Sequence, residues 1–313
     1  MTPPLKLSKH VEDAISGDCL DRISSLPDEL LGQIISFLPT TCAVKASILS
    51  KRWRYLFTLM TCLSFEDKRY PVGSERIEGT RRFKEYVDNV RKLHQIAPIK
   101  KFSLVCHETY HDSDLDRWFT YALQKGVQEL YYQLGHQTDS MPNHDSFLMC
   151  ETLVSLKMLR HRCSCSHDYY KIEIPLSTSL PKFKILYLYH IIFFDFESIE
   201  RLFSSCGLLE ELSLRYCKCD IDGHAIHYTG ILKELTVECC SFLLGTFEID
   251  APNLAYLDYR SNIGVRIVPS RKTSCSFEEA RLTFNCSTDT NEDLVKYDRE
   301  LLKAAAYKVV ELR

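Results

Sequence analysis

A short apolar pattern recurs along most of this chain and limits the folds that it can adopt. Seven segments share the form apolar-x-x-Leu-x-apolar, with phenylalanine in the leucine position of the first. Their central residues are Phe102, Leu130, Leu156, Leu186, Leu212, Leu235 and Leu257, separated by intervals of 22 to 30 residues. Repeats of this period indicate a solenoid in which each unit stacks on the next.

The alternation within each unit predicts which side chains face the core. On a strand, two apolar residues two positions apart point to the same face, and the residue between them points to the other. Because a strand with its return segment cannot bury its apolar side alone, the units must stack. We therefore expect a leucine-rich-repeat α/β solenoid with a curved parallel sheet over residues 98–313. An ordinary α/β domain is the alternative, and the short, regular interval disfavours it.

The residues between the inward-facing apolar positions form a candidate binding surface on the concave face. They mix tyrosines with polar groups, which suits protein recognition, although an unused sheet face would show the same mixture. The candidate target-binding residues are Tyr131, Lys157, Tyr187, Ser213, Thr236 and Asp258.

Residues 18–65 contain a separate and strongly apolar helical module. Leu26-Pro27-Asp28-Glu29 predicts a helix start, with proline and two carboxylates in the first turn. The apolar residues that follow occupy two faces of this helix, and Pro39 prevents its continuation. Two shorter helices complete a module that is too small to bury its own apolar surface. The excess apolar surface must be covered, either by the rest of the chain or by another protein. With this helical module before the repeats, we expect an α+β fold for the whole chain.

The segment LPDELLGQIISFLPTTCAVKASILSKRWRYLF resembles an F-box, and its LSKRWR ending is similar to that of plant F-box proteins. F-boxes dock onto the Skp1-type adaptor of SCF (Skp1–cullin–F-box) ubiquitin ligases. The resemblance thus implies this adaptor, and cullin through it, as partners. It carries the adaptor-binding role onto nine positions: Leu26, Pro27, Leu30, Ile34, Leu38, Val44, Ser50, Trp53 and Leu56. Some of the nine belong to the internal core of the module, and the sequence leaves that partition open.

The repeat region is similar to plant F-box proteins with degenerate leucine-rich repeats, of the F-box/FBD/LRR type. The phrases LLEEL at residues 208–212 and APNL at residues 251–254 carry this resemblance. The family often continues into an FBD segment, and none is found after residue 290. The strand-like YKVVEL at residues 307–312 lacks a following polar cap, which predicts a truncated solenoid. Alternatively, Leu294, Tyr297, Leu301 and Leu302 have helical spacing and form a helix that folds back as the cap.

Four regions follow from these patterns. Residues 1–17 are polar and predict a flexible N-terminal tail. Residues 18–65 form the F-box, and residues 66–97 form a charged linker and an amphipathic helix with Phe83, Val87 and Val90 on one face. Residues 98–313 form the solenoid.

Charge and cysteine usage narrow the partners and the compartment. The net charge of −3 gives no reason to expect nucleic acid or a membrane surface. The 14 cysteines are irregularly spaced and follow no apolar leader segment, so we expect reduced thiols in the cytoplasm or the nucleus. Cys163, Cys165 and His167 are residue types that bind zinc, but the C-x-C spacing of the two cysteines is tighter than that of zinc sites. We therefore expect no metal.

No motif for catalysis or for a cofactor was found. The sequence contains no glycine-rich phosphate loop, no HExxH and no GxSxG. We predict a non-catalytic substrate-recognition subunit of an SCF-type ligase, which holds a target protein for ubiquitination. An interaction scaffold with a vestigial F-box is one alternative. A small-molecule co-receptor is another, and it is disfavoured because the outward strand positions supply no basic cluster.

Overall fold

The computed structural model describes residues 23, 25–48, 50–135, 144–160, 170–193, 195–219, 226–242, 246–261, 266–269, 278–284 and 309–312. A group of short helices leads into a large parallel sheet. The three predicted helices of the N-terminal module are confirmed. They are α1 (Asp28–Ile35), α2 (Thr40–Ala46) and α3 (Trp53–Leu56), and α3 runs into a 3-10 turn at Phe57–Leu59.

Local sequence signals set the limits of these helices. Pro27 immediately precedes α1 and Pro39 immediately precedes α2, where a proline without its N–H costs the helix no hydrogen bond. Asp28 and Glu29 lie in the first turn of α1, where the helix dipole stabilises negative charge. At the start of α3, the backbone N–H of Trp53 donates to the Ser50 hydroxyl at 3.2 Å.

The described residues form a parallel sheet of ten strands, numbered here along the whole chain. Its strands are β1 (Cys62–Glu66), β2 (Lys101–Val105), β3 (Glu129–Leu134), β4 (Ser155–Arg160), β6 (Ile185–Tyr189), β8 (Glu211–Arg215), β11 (Glu234–Glu238), β14 (Tyr256–Ser261), β16 (Glu279–Phe284) and β17 (Val309–Leu312), in this spatial order. Within this sheet, each strand pairs with the member of the sheet that follows it in the chain, as in a solenoid.

The seven predicted repeat strands are all present. Their central residues are partners in the hydrogen-bonded register from strand to strand, beginning with Phe102 opposite Leu130 and ending with Leu235 opposite Leu257. Each central residue and the apolar residue two positions later are buried. The alternation therefore predicted the inward face correctly.

Strands at both ends extend this sheet beyond the seven repeats. β1 pairs with β2, so the end of the predicted F-box, residues 62–65, is also the first strand of the sheet. At the other end, the strand predicted within residues 307–312 is present as β17, paired with β16. The cap helix predicted around Leu294 and Leu301 lies outside the described residues.

Helices cover the inward face of the early repeats. They are α4 (Ser74–Leu93), α5 (Asp112–Gln124), α6 (His144–Leu148) and α7 (Phe196–Ser205). Phe83, Val87 and Val90 of α4 are buried, as their spacing predicted. In α5, Phe119 packs edge-on against Phe102 of β2, with 6.3 Å between ring centroids. Strands and helices thus share one continuous apolar core.

In the later repeats, short strands occupy return segments. One small sheet consists of β5 (Tyr170–Ile172), β7 (Ile191–Phe193), β9 (Lys218–Cys219) and β12 (Ser241–Phe242). Another consists of β10 (Ile226–Thr229), β13 (Thr246–Asp250) and β15 (Arg266–Pro269). All pairs in both small sheets are parallel, so the solenoid stacking continues on this side.

A left-handed residue follows three consecutive repeat strands. His190, Tyr216 and Cys239 have φ values of 60°, 53° and 50°. The turn carries the next residue inward, and in two repeats that residue is a buried cysteine. The thiol of Cys217 points to the Leu188 carbonyl at 3.6 Å, and that of Cys240 to the Leu214 carbonyl at 3.3 Å. These post-strand cysteines therefore occupy the core side of the turns.

Candidate interaction surfaces on the F-box helices and on the concave sheet face

Helix α1 has two apolar faces with opposite surroundings. Leu31 and Ile35 are 0% exposed and belong to the core shared with the sheet. Leu30 and Ile34 are 46% and 44% exposed. Together with the exposed Leu38 beyond the helix end, they form a row at helical spacing, which we call the open row. The structure thus divides this helix into a core face and an accessible apolar face.

The other six predicted adaptor-binding residues divide in the same way. Leu26, Val44 and Trp53 are half-buried and pack against the core. Pro27 and Ser50 are exposed. Leu56 is only 1% exposed and belongs to the core cluster, so it is one of the internal-core members of the nine that the sequence left undivided.

Three large apolar side chains on or just beyond these helices were missed as surface candidates. Phe37 is 88% exposed, and Ile48 and Tyr55 are also exposed. Phe37 shares the helical spacing of Leu30 and Ile34, a signal that was available in the sequence. Ile48 lies one helical turn after Val44, but its exposure, like that of Tyr55, depends on how α2 and α3 pack.

One arginine fixes the relative position of α1 and α3. The Nε atom of Arg52, just before α3, donates to Asp28 Oδ1 of α1 at 2.8 Å, and its Nη2 donates to the Leu26 carbonyl. One of the three basic residues in the segment KRWR, at residues 51–54, is therefore used inside the module. The contact holds the start of α1 beside the third helix.

The module is also hydrogen-bonded to the sheet. The Ser64 N–H of β1 donates to the Thr40 hydroxyl at 2.7 Å, and Thr40 is fully buried. The Thr61 N–H donates to the Ser36 hydroxyl at 3.0 Å. The open row therefore projects from helices whose other side is attached to the first strand of the solenoid.

The predicted target-binding residues form one continuous row across the sheet. Adjacent strands pair Tyr131 with Lys157, Lys157 with Tyr187 and Tyr187 with Ser213, and the register continues through Thr236 to Asp258. Lys157 is exposed, and the tyrosines, Ser213 and Thr236 are half-buried. We call this the concave row. Since the row is in register, the side chains lie about 4.8 Å apart from strand to strand.

Asp258 contributes to this surface less than predicted. It is only 5% exposed, and both its carboxylate oxygens lie 3.2 Å from the guanidinium of Arg260 on the same strand. Its assignment as an accessible binding residue is therefore corrected. The carboxylate serves an internal ion pair.

Ion pairs fill the later part of this face. Glu238 lies 3.3 Å from Arg215 and 3.6 Å from Arg260, and Arg281 lies 2.8 Å from Glu279. The Arg215 guanidinium also lies over the ring of Tyr187, 5.6 Å from its centroid. Burial raises the pKa of Tyr187, and burial likewise raises that of Tyr131. Both phenols are therefore neutral at physiological pH.

Neither surface contains an arrangement for metal chemistry. Among the described residues, no group of three or more histidine, cysteine, aspartate or glutamate side chains is placed to hold a metal ion. Cys163, Cys165 and His167 lie outside the described residues. In the described part of the chain, no helix combines the length and apolar character needed to cross a membrane.

Two family models match the chain, one on each part of this architecture. An F-box domain model matches residues 23–64. A model described as "At1g61320/AtMIF1, LRR domain" matches residues 90–303. The helical module and the repeat sheet are thus the F-box and the leucine-rich-repeat domain of one chain, and the chain belongs to the family of plant F-box/leucine-rich-repeat proteins.

Curated relatives from Arabidopsis thaliana are similar to most of the chain. A putative F-box/LRR-repeat protein, At3g58880, is 38% identical over 77% of this chain and 52% of the relative. The F-box/LRR-repeat protein At3g59190 is 34% identical over 79% of this chain and 63% of the relative. The F-box/FBD/LRR-repeat protein At2g26030 is 30% identical, over 85% and 59% respectively. The matches thus span between half and two thirds of these relatives. No solved structure matches the chain.

Proposed function

We propose that this protein is the substrate-recognition subunit of an SCF-type ubiquitin ligase and acts in the cytoplasm or the nucleus. The F-box binds a Skp1-type adaptor and, through it, cullin. The leucine-rich repeats bind a target protein. The chain itself carries out no chemistry. It contributes by holding the target near a ubiquitin-conjugating enzyme, which raises the effective concentration of the target lysines.

The observation that carries this proposal is the open row of α1. A leucine and an isoleucine exposed at helical spacing, beside the exposed Phe37, form an apolar surface on a helix whose other face is already buried. Contiguous exposed apolar surface of this kind is typical of protein-binding sites. A helix face with anchors four residues apart suits binding against apolar helices or in an apolar groove.

A second candidate rests on a different observation. Leu31, Ile35, Ala43 and Met60 of the F-box share the core of the sheet. The F-box thereby caps the first strand of the solenoid. An interaction scaffold whose F-box serves only as this cap, without a role in ubiquitination, needs the core face of α1 but not the open row.

Affinity purification of the tagged chain from plant cells, followed by mass spectrometry, separates the two candidates. We expect a Skp1-type adaptor and a cullin with the unaltered chain, and neither with the double variant Leu30→Asp/Ile34→Asp. The matched control is Ile77→Asp/Leu93→Asp, because both residues are exposed apolar side chains of α4. Recovery of neither partner with the unaltered chain, or equal recovery with the Leu30/Ile34 variant, would overturn the proposal in favour of the scaffold.

A further inference from the structure

The charged side chains at both ends of the concave face form ion pairs, whereas a lysine between them does not. From β8 to β16, the arginines on this face lie within 3.6 Å of carboxylates on the same or a neighbouring strand. From β2 to β3, Lys101 likewise lies 3.1 Å from Glu129. Between these paired groups lies Lys157 on β4, for which no ion pair or hydrogen bond exists among the described residues.

The side chains that flank Lys157 in the row are uncharged and aromatic. In the same row, its neighbours are Tyr131 on β3 and Tyr187 on β6. One residue pair further along the strands, the same face presents Leu159 beside Tyr189. The carboxylate of Glu129, on the adjacent strand, is already occupied by Lys101. An exposed ammonium group thus lies between two tyrosines and has no ion-pair partner in the described part of the chain.

A second unused polar group lies in the same row. The Ser213 hydroxyl, next to Tyr187 in register, is buried and has no hydrogen-bond partner among the described residues. A buried hydroxyl without a partner has lost its hydrogen bonds to water, which is unfavourable. A hydroxyl can both donate and accept. The row therefore holds unused hydrogen-bonding capacity at two positions, separated by one tyrosine.

We propose that the part of the concave face formed by β3, β4 and β6 is the centre of target binding. It takes an acidic peptide segment of the target, in which a carboxylate side chain pairs with Lys157 and flanking apolar or aromatic side chains cover Tyr131 and Tyr187. This inference rests on the proposed role of the repeats as the target-binding domain.

Charge complementarity selects a carboxylate rather than a phosphate. A single lysine balances one negative charge, whereas a phosphorylated side chain carries close to two at neutral pH. Phosphate sites in proteins typically provide arginines with bidentate geometry. Here the nearby Arg215 is engaged by Glu238 and by the Tyr187 ring. The later half of the face, with its own ion pairs, serves to hold the strands together and contributes less to binding.

Selection from a random peptide library tests the proposal. The probe is a pool of nine-residue peptides in which each position carries any common amino acid or phosphoserine, offered to the immobilised full chain. With the unaltered chain, we expect glutamate or aspartate to be enriched at least threefold over glutamine or asparagine at one position. Lys157→Gln should abolish this enrichment. The matched control, Lys233→Gln, removes a lysine that is already paired with Glu210. That carboxylate keeps its second partner, Lys184, and the enrichment should persist.

Three results would overturn the proposal. They are the absence of acidic enrichment with the unaltered chain, its persistence in Lys157→Gln, and a stronger enrichment of phosphoserine than of glutamate. Adaptor binding measured on the same variants keeps this test separate from the proposed ligase function. Lys157→Gln should leave adaptor binding unchanged. If the adaptor does not bind but the acidic preference depends on Lys157, the ligase proposal fails and the peptide site stands.

Discussion

The Nε2 atom of His94 lies 2.6 Å from the main-chain oxygen of Met60, and this contact joins the end of α4 to the end of the F-box helices. The Nδ1 atom of the same ring lies 2.7 Å from the hydroxyl of Tyr121 in α5. His94 is fully buried, so one imidazole connects the F-box, the following helix and the first return helix of the solenoid.

This position makes the stability of the protein depend on pH. Burial lowers the pKa of His94 from its ordinary value of 6.5, and the nearby positive charge of Lys125 also lowers it. Below pH 6.5 the unfolded chain therefore binds the proton more readily than the folded chain. The contribution of His94 to stability is complete above pH 6.5 and is lost as the pH falls, by at most about 1.4 kcal/mol per pH unit.

Urea unfolding at pH 7.5, 6.5 and 5.5 checks this prediction. The free energy of unfolding should fall more steeply toward pH 5.5 in the unaltered chain than in His94→Gln. His111→Gln is the control, since His111 is exposed and its loss should leave the slope unchanged. Asp67 has a pKa raised by burial and acts in the opposite direction, but it is present in every variant. Equal slopes for the unaltered chain and His94→Gln would contradict the prediction.

The hydroxyl of Thr40 provides a second test of the junction. Thr40→Val keeps the shape of the side chain and removes the acceptor of the Ser64 N–H. Leaving this donor without a partner should lower the free energy of unfolding by about 1–3 kcal/mol. Thr41→Val, at the exposed neighbouring residue, should change it by less than about 0.5 kcal/mol in the same denaturant titration. A similar small effect for both variants would mean that this hydrogen bond contributes little.

Neighbouring residues of β11 test the two faces of the sheet. Leu235 is fully buried, and Leu235→Ala should destabilise the chain by about 2–5 kcal/mol through lost burial and the cavity left behind. Thr236 faces the other way and is half-buried, so Thr236→Ala should cost less than about 1 kcal/mol. Thermal or denaturant unfolding of both variants distinguishes the faces, and a reversed order would refute the assignment.

The reactivity of the thiols should follow their burial. Burial raises the pKa of Cys206 to about 12, and burial also raises that of Cys240. Cys42 lies on the surface of α2. Timed alkylation of the native protein at pH 8 should label Cys42 within minutes and the two buried thiols only as the chain unfolds. All three should react at once in denaturant without reductant. Rapid native labelling of Cys206 would show that the repeat core opens readily.

The sequence predicted the sheet well because each repeat carries the same local rule. Alternation on a strand has a period of two, so the burial of Leu212 and Leu214 follows from their spacing alone. β1 was not predicted, because Leu63 and Phe65 lie before α4 and outside the regular interval that separates the repeat strands. Their burial depends on the pairing of β1 with β2, which only the three-dimensional fold provides.

The candidate surfaces were less predictable than the sheet. A helix with apolar residues on two faces does not reveal by its spacing which face the rest of the protein covers. Only the resemblance to an F-box singled out Leu30 rather than Leu31. Leu56 matched the family pattern but fills the core. Asp258 occupied a correct outward position, yet Arg260 two residues later folds onto it. These outcomes depend on tertiary neighbours rather than on spacing.

The most direct test of the central claim is the dissociation constant for a purified Skp1-type adaptor, measured by calorimetry with the full chain and with Leu30→Ala/Ile34→Ala. Because both residues are accessible, this variant should fold as the unaltered chain does, with an unchanged unfolding midpoint. The loss of two apolar anchors should weaken adaptor binding about 100-fold, or roughly 2.7 kcal/mol. The control Ile77→Ala/Leu93→Ala should bind within about twofold of the unaltered chain. An equal affinity for all three proteins would contradict the assignment of the open row as the adaptor-binding surface.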